Sequence, residues 1–193
     1  MEKDRLLAFT DGVVAIIITI MVLELKVPAG HDFVDLIPTI PIFLSYALSF
    51  IYVGIYWNNH HHFFQLVTRV DGTVLWANLH LLFWISLIPF ATAWTGENHF
   101  APAPTAVYGL SLLMPALAWY VMKLAIIRVE GHSSAFAQMV GRDFKGMVSP
   151  ILYVAGIGLA FVSPWIANAM YFLVAMMWLI PERRVERLVK MSD

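Results

Sequence analysis

Residues 5–26 read RLLAFTDGVVAIIITIMVLELK, an apolar run long enough to cross a bilayer that carries polar residues near its start. A helix needs about 20 apolar residues to span about 30 Å of hydrocarbon. If Thr10 and Asp11 were only a helix N-cap, the helix would cover about Gly12 to Lys26 and reach roughly 22 Å, which is too short. A helix that begins near Arg5 spans the membrane and takes Asp11 about 9 Å inside. We therefore favour a buried polar network around Asp11, with the N-cap as the alternative.

Composition places the rest of the chain in a membrane as well. Of 193 residues, 60% are hydrophobic and 13% are charged, with a mean hydropathy of +0.74. Soluble domains average about 45–50% apolar and about 25% charged residues. The net charge of −1 provides no basic surface for nucleic acid. Cysteine is absent, which excludes disulfides, thiolate metal ligands and cysteine nucleophiles. The sequence predicts an all-α integral membrane protein whose first helix is retained rather than cleaved as a signal peptide.

Apolar segments divide the chain into six predicted spans. The fifth and sixth are short, and only Ser163-Pro164-Trp165 separates them. Proline ends helices and restricts the preceding residue, which favours a tight helical hairpin there. One long kinked helix, which would leave five spans, is the alternative. The predicted spans are about 6–26, 36–57, 73–95, 105–128, 149–163 and 165–181.

The distribution of basic residues favours six spans. With the N-terminus in the cytoplasm, eleven Lys and Arg residues fall inside and only Lys26 falls outside. Five spans would place the basic C-terminal segment 181–190 outside, which the same rule disfavours. We predict a multi-pass protein of the cell membrane, with both termini cytoplasmic and one transmembrane domain over residues 1–193. The basic residues counted inside are Lys3, Arg5, Arg69, Lys123, Arg128, Arg142, Lys145, Arg183, Arg184, Arg187 and Lys190.

Polar residues of the second and third spans are the expected partners of the first helix. Arg5 and Asp11 are six residues apart and so do not face each other on a helix. Their partners must come from another helix or another subunit. The second span ends in YWNNHHHFF at positions 56–64, and Asn78 and His80 lie near the start of the third span, at a similar depth.

The three consecutive histidines are not expected to form a metal site. Side chains of His60, His61 and His62 point about 100° apart on a helix and cannot converge on one ion. Hydrogen bonding between helices is the favoured role, and pH sensing and metal ligation are the alternatives. We predict no metal and no cofactor. The sequence also lacks a nucleophile–base constellation, so an enzyme is not expected.

The remainder of the first helix carries an apolar stripe. Ile16, Thr19, Ile20 and Leu23 follow the i, i+3, i+4, i+7 spacing of one helix face. Asp11 lies roughly 140° away from Ile16, so its carboxylate points elsewhere. From periodicity alone, the stripe fits ordinary helix packing or lipid contact.

The start of this helix resembles the R-x-x-x-F-S-D signature of the transmembrane protein 175 family, potassium channels of endosomes and lysosomes that have prokaryotic homologues. The match consists of Arg5, Phe9, Thr10 and Asp11, with threonine in place of the usual serine and the hydroxyl retained. The resemblance covers nearly the whole chain, but the further matches are individually weak. These are Trp57, His60 and His61 as W-x-x-H-H, then Asn78-Leu79 and Pro89-Phe90.

The resemblance implies a homotetramer in the bilayer whose four first helices line a central pore. Potassium would be the permeant ion and would pass without a T-V-G-Y-G filter. An isoleucine at the position of Ile16 would form the constriction, with Thr19 and Leu23 further along the pore. The motif residues would tie this helix to its neighbours. The alternative is a proton- or ion-coupled transporter that uses Asp11 and the His60–His62 cluster, which saturable coupled exchange would reveal.

Overall fold

The computed structural model describes residues 3–140 and 143–179, and within these ranges every regular element is helical. The α-helices are separated by short connections, and a 3-10 helix, Phe33–Thr39, precedes the second of them. The α-helices are α1 (Lys3–Leu23), α2 (Ile40–Gln65), α3 (Gly72–Ser86), α4 (Ile88–Glu97), α5 (Pro102–Glu130), α6 (Ala135–Val140), α7 (Phe144–Leu159) and α8 (Pro164–Leu179).

Helix α1 runs through the polar insertion without a break. It begins at Lys3, so Thr10 and Asp11 lie inside the helix and neither is its N-cap. Its 21 residues measure about 31 Å, which matches the hydrocarbon thickness. The prediction of a helix that passes through Asp11 is therefore confirmed, and both polar side chains are accommodated within the helix.

Helix α2 extends further than the predicted span 36–57. It begins at Ile40, because residues 33–39 form the 3-10 helix, and it continues to Gln65. The prediction ended eight residues early because the run of polar residues from Asn58 resembles the end of a span. The buried polar side chain of this run, His60, has a hydrogen-bond partner in Asn78 of α3, so the run is accommodated within the helix.

The predicted third span, 73–95, is two helices that meet at Leu87. Helix α3 ends at Ser86, and α4 begins at Ile88 with Pro89 in its first turn. Proline has no backbone N–H and disfavours a helical conformation in the residue before it, which explains the break. Together the two helices cover Gly72–Glu97, long and apolar enough to cross a membrane.

The chain breaks again where the sequence predicted a hairpin. Helix α7 ends at Leu159 and α8 starts at Pro164. Each has 16 residues and is apolar, but the four helical segments of membrane-spanning length among the described residues are Lys3–Leu23, Phe33–Gln65, Gly72–Glu97 and Pro102–Glu130. The end of the predicted sixth span, at 180–181, and the basic residues Arg142, Arg183, Arg184, Arg187 and Lys190 lie outside the described residues.

Buried side chains form two clusters. The first joins α1, α2, α3 and α5 and includes Val14, Phe64 and Leu81. The second joins α2, α4, α5, α7 and α8 and is built around four buried tyrosines. Helix α5 contacts α3, α4, α7 and α8, whereas α1 packs on α2, α3 and α4 at the edge of the bundle. The tyrosines of the second cluster are Tyr52, Tyr108, Tyr153 and Tyr171.

Candidate pore helix and its polar anchor

Helix α1 has one buried face and one exposed face. The buried face packs against the first cluster and recurs every three or four residues, as helical geometry requires. On the other face, Ile16 is 59% exposed and Leu23 is 77% exposed, and Thr19 is exposed between them. Large apolar side chains left uncovered in this way mark an interface with lipid or another protein. The buried residues are Leu6, Thr10, Val14, Ile17 and Met21.

The one polar side chain within the exposed stripe is already bonded to its own helix. The Thr19 hydroxyl donates to the carbonyl oxygen of Ile16, at 2.9 Å. A hydroxyl has one donor and two acceptor lone pairs. The hydroxyl oxygen of Thr19 therefore retains acceptor capacity on the exposed face, which is the chemistry that a cation or a water molecule requires.

Three helices meet in a buried hydrogen-bonded triad on the opposite side of α1. The side-chain amide of Asn78 donates to the Thr10 hydroxyl oxygen at 2.9 Å, and its carbonyl oxygen lies 2.8 Å from Nε2 of His60. Since an amide oxygen only accepts, His60 carries its hydrogen on Nε2. All three residues are at most 3% exposed. The triad ties α1 to α3 and α3 to α2, and it fixes which face of α1 points inward.

A second contact ties α1 to α2 at the surface of the subunit. The indole Nε1 of Trp57 donates to a carboxylate oxygen of Asp11 at 2.9 Å. The Trp57 ring stacks on His61, with ring centroids 6.4 Å apart, and the side-chain amide of Gln65 reaches the same histidine at 3.2 Å. Thr10 and Asp11 thus belong to separate contacts, because consecutive helical residues point about 100° apart.

The remaining sequence candidates lie outside these two contacts. Phe9 is 53% exposed on α1. Arg5 is exposed and donates no hydrogen bond to any residue that the structure describes. His80 accepts a hydrogen bond from Trp84, one turn along α3, and does not reach α1. Across residues 3–140 and 143–179, no group of three or more His, Asp or Glu side chains is arranged to hold a metal ion.

Sequence reasoning did not identify the groove that borders the exposed stripe. It encloses about 760 Å³ between α1 and α4 and opens to the exterior. Ile16 and Ile20 line one wall, and Phe90 and Trp94 line the other. One wall belongs to α4, which begins after the break at Leu87, so Pro89 is the local sequence signal that bears on this groove.

An ion pair involves Glu97, one of the residues that line this groove. Lys26, in the loop after α1, donates to a carboxylate oxygen of Glu97 at the end of α4. The hydrogen bond to Glu97 raises the pKa of Lys26, so this lysine stays protonated. The pair is exposed, and such pairs contribute little to stability. It does show that the end of α1 and the end of α4 lie at the same end of the bundle.

Comparison with known proteins shows that this chain is similar to potassium channels. The sequence profile of the family described as "Endosomal/lysosomal potassium channel TMEM175" matches residues 5–89, which contain the exposed stripe and both polar contacts. A potassium channel from Chryseobacterium sp. (strain P1-3) is 56% identical over 98% of this chain and 99% of its own length. A potassium channel from Streptomyces collinus is 32% identical over 91% of this chain and 90% of its own length.

A solved structure shares the fold as well as the sequence. The crystal structure of a lysosomal potassium-selective channel TMEM175 homolog from Chamaesiphon minutus superposes with a TM-score of 0.78 at 30% identity. The match covers 92% of this chain and 96% of the other. The similarity therefore includes the second half of the bundle, which lies beyond the profile match.

Proposed function

The chain belongs to the TMEM175 family, and on that premise we propose that it conducts potassium passively across a membrane. The family and the relatives described above are channels rather than enzymes, as the sequence predicted. The observation that carries the proposal for this chain is the exposed stripe of α1. Ile16, Thr19 and Leu23 share one uncovered face, while hydrogen bonds hold the opposite side of the helix.

We assign six membrane spans to each subunit, in one transmembrane domain over residues 1–193 with both termini in the cytoplasm. Four helical segments have the required length. Helices α7 and α8 measure about 24 Å each, and a modest local thinning of the bilayer accommodates spans of that length. The excess of Lys and Arg on the N-terminal side supports this orientation. Cysteine accessibility in a chain without native cysteine tests it.

Four copies of α1 line the proposed pore of a homotetramer. In a four-fold arrangement the uncovered stripes face one axis, and the neighbouring subunits occupy the flanking surfaces of α1. The stripe spans an arc of only about 100°, which is narrow enough to be a pore wall. Arg5 lies almost in line with Ile16 by ideal helix counting, but about 16 Å away along the axis. This distance places Arg5 at the end of the proposed pore, away from the Ile16 constriction.

The proposed filter excludes ions by the cost of dehydration. A ring of four Ile16 side chains offers a cation no oxygen ligand, and a narrow hydrophobic constriction gates by dewetting. Potassium loses its hydration shell at a lower cost than sodium, so potassium crosses more readily. The Thr19 hydroxyls, one turn away, replace part of the lost water with their free lone pairs. The expected selectivity is lower than that of a filter built from backbone carbonyls.

Flux from liposomes tests the proposed conduction. Purified protein in potassium-loaded vesicles should release potassium down its gradient, with slower flux when sodium replaces potassium. The flux should rise linearly with the gradient, because a passive pore does not saturate as a carrier does. Saturable exchange coupled to protons would instead support a transporter that uses Asp11. Native mass spectrometry of the same preparation should give a tetramer.

A further inference from the structure

The 3-10 helix between α1 and α2 has three distinct faces. With three residues per turn, side chains at positions i and i+3 lie directly above one another. Asp32, Asp35 and Pro38 therefore form one row along Phe33–Thr39 and its N-cap. The backbone N–H of Asp32 donates to the Asp35 carboxylate at 3.0 Å, which makes this acidic row part of the helix cap.

The other two rows are apolar and uncovered. Phe33 and Leu36 form one of them and are 92% and 48% exposed, and Val34 and Ile37 form the other and are 63% and 58% exposed. Large apolar side chains that remain in water forgo the free energy that burial would provide. Two of the three rows are thus apolar except for Thr39 at the end of the helix, and the third row carries both carboxylates and Pro38.

The position of the helix indicates what covers it. Helix α2 alone is about 39 Å long and exceeds the hydrocarbon thickness. Lys3 at the start of α1 donates to the carbonyl oxygen of Val67 just after α2, so these two ends are level. The excess length of α2 therefore lies at its other end, which places the 3-10 helix at headgroup depth. The exposed apolar surface continues into α2 through Phe43 and Leu44, which face outward within the span.

An aromatic pair lies at the same end of the bundle. The Lys26–Glu97 pair joins the loop to the end of α4, and Phe100 contacts Trp165, at the start of α8, with ring centroids 5.5 Å apart. Trp165 is 68% exposed. Exposed tryptophans at span ends mark the membrane–water interface.

We propose that Phe33–Thr39 is an interfacial helix that inserts its two apolar rows into the phospholipid leaflet at this end of the bundle. The acidic row faces the water. Because the segment carries carboxylates and no basic side chain, zwitterionic phosphatidylcholine suffices and anionic lipid is not required. The proposal requires a membrane-embedded bundle but does not depend on which ion the protein conducts.

Two adjacent positions on different rows provide the test. The chain has no native cysteine, so Ile37→Cys and Pro38→Cys each give one site for an environment-sensitive NBD label. The labelled proteins are reconstituted in phosphatidylcholine vesicles with a spin-labelled phosphatidylcholine as quencher. Quenching at position 37 should exceed that at position 38 by at least about twofold, because the two rows lie 120° apart. Phe33→Cys should resemble Ile37→Cys, and aqueous iodide should give the opposite order.

Two results would overturn the proposal. Equal iodide quenching at positions 37 and 38 would show a loop in water. Protection of position 37 from both quenchers would show that a second copy of the chain covers the helix. Potassium flux of each labelled protein is measured separately, so a failed insertion is distinguishable from a failed channel. A label at His31→Cys, which is exposed just before the helix, calibrates full access from water.

Discussion

The two buried clusters hold their helices in different ways. Around Tyr171, five helices enclose a core in which aromatic rings contact each other and every tyrosine is at most 2% exposed. Helix α1 is held on one side only, by apolar packing and the Thr10–Asn78–His60 triad, and its other side is uncovered. The tyrosine cluster completes its own packing within one subunit, whereas α1 requires something beyond the subunit. This difference assigns stability to the tyrosine cluster, and it is consistent with the pore that we propose along α1.

A substitution in the tyrosine cluster should cause the largest loss of stability and leave the ion selectivity unchanged. Tyr171 packs against Gly109 and Gly156, where an added Cβ would lie 2.1 and 2.5 Å from its ring or hydroxyl atoms. Removing a buried aromatic side chain costs about 3–5 kcal/mol. Tyr171→Ala should lower the free energy of unfolding in detergent by that amount, while surviving channels keep the wild-type preference for potassium over sodium. Tyr120→Ala, which removes a 56% exposed ring, is the matched control.

A substitution in the Thr10–Asn78–His60 triad should lower both the stability and the selectivity for potassium. Asn78→Leu removes the partner of Thr10 and of His60, and each orphaned buried group costs about 1–3 kcal/mol. Because the triad fixes the rotation of α1, we also expect a reduced preference for potassium in liposome flux. Asn58→Leu changes an exposed amide on α2 and should change neither property. A destabilised Asn78→Leu protein with unaltered selectivity would limit the triad to a structural role.

Removing the surface contact between Trp57 and Asp11 should have the smallest effect on stability. Trp57→Phe removes the hydrogen bond to Asp11 but keeps the aromatic ring, and solvent reaches both partners. We expect a loss of less than about 1 kcal/mol in the free energy of unfolding. Trp76→Phe, at a 75% exposed tryptophan on α3, controls for the change of ring. A loss equal to that of Asn78→Leu would mean that the assembly buries the contact between Trp57 and Asp11.

Local sequence rules predicted the features that depend on one segment. The length of the apolar run predicted that α1 passes through Asp11, and Ser163-Pro164 predicted the break between α7 and α8. Helical periodicity also separated the carboxylate of Asp11 from the Ile16 stripe, and in the structure Asp11 contacts Trp57 instead.

Local sequence rules do not predict the features that depend on neighbouring helices. The end of α2 was placed at 57 because a polar run looks like a boundary unless a partner for His60 is known. Tertiary packing alone determines that Asn78 is the centre of the triad and that Arg5 is exposed. The break at Leu87 has a local signal in Pro89, although the predicted span 73–95 runs through it.

The account places the filter on the exposed face of α1, and a pair of substitutions on this helix tests that claim most directly. Ile16→Asn introduces a polar side chain at the proposed constriction, and Val22→Asn introduces the same side chain at another exposed site, about 120° around the helix. Each protein is reconstituted in liposomes, and potassium and sodium fluxes are compared. We predict that Ile16→Asn loses the preference for potassium and passes sodium, while Val22→Asn retains it. Potassium flux with unchanged ion preference in Ile16→Asn would contradict the account and remove Ile16 from the filter.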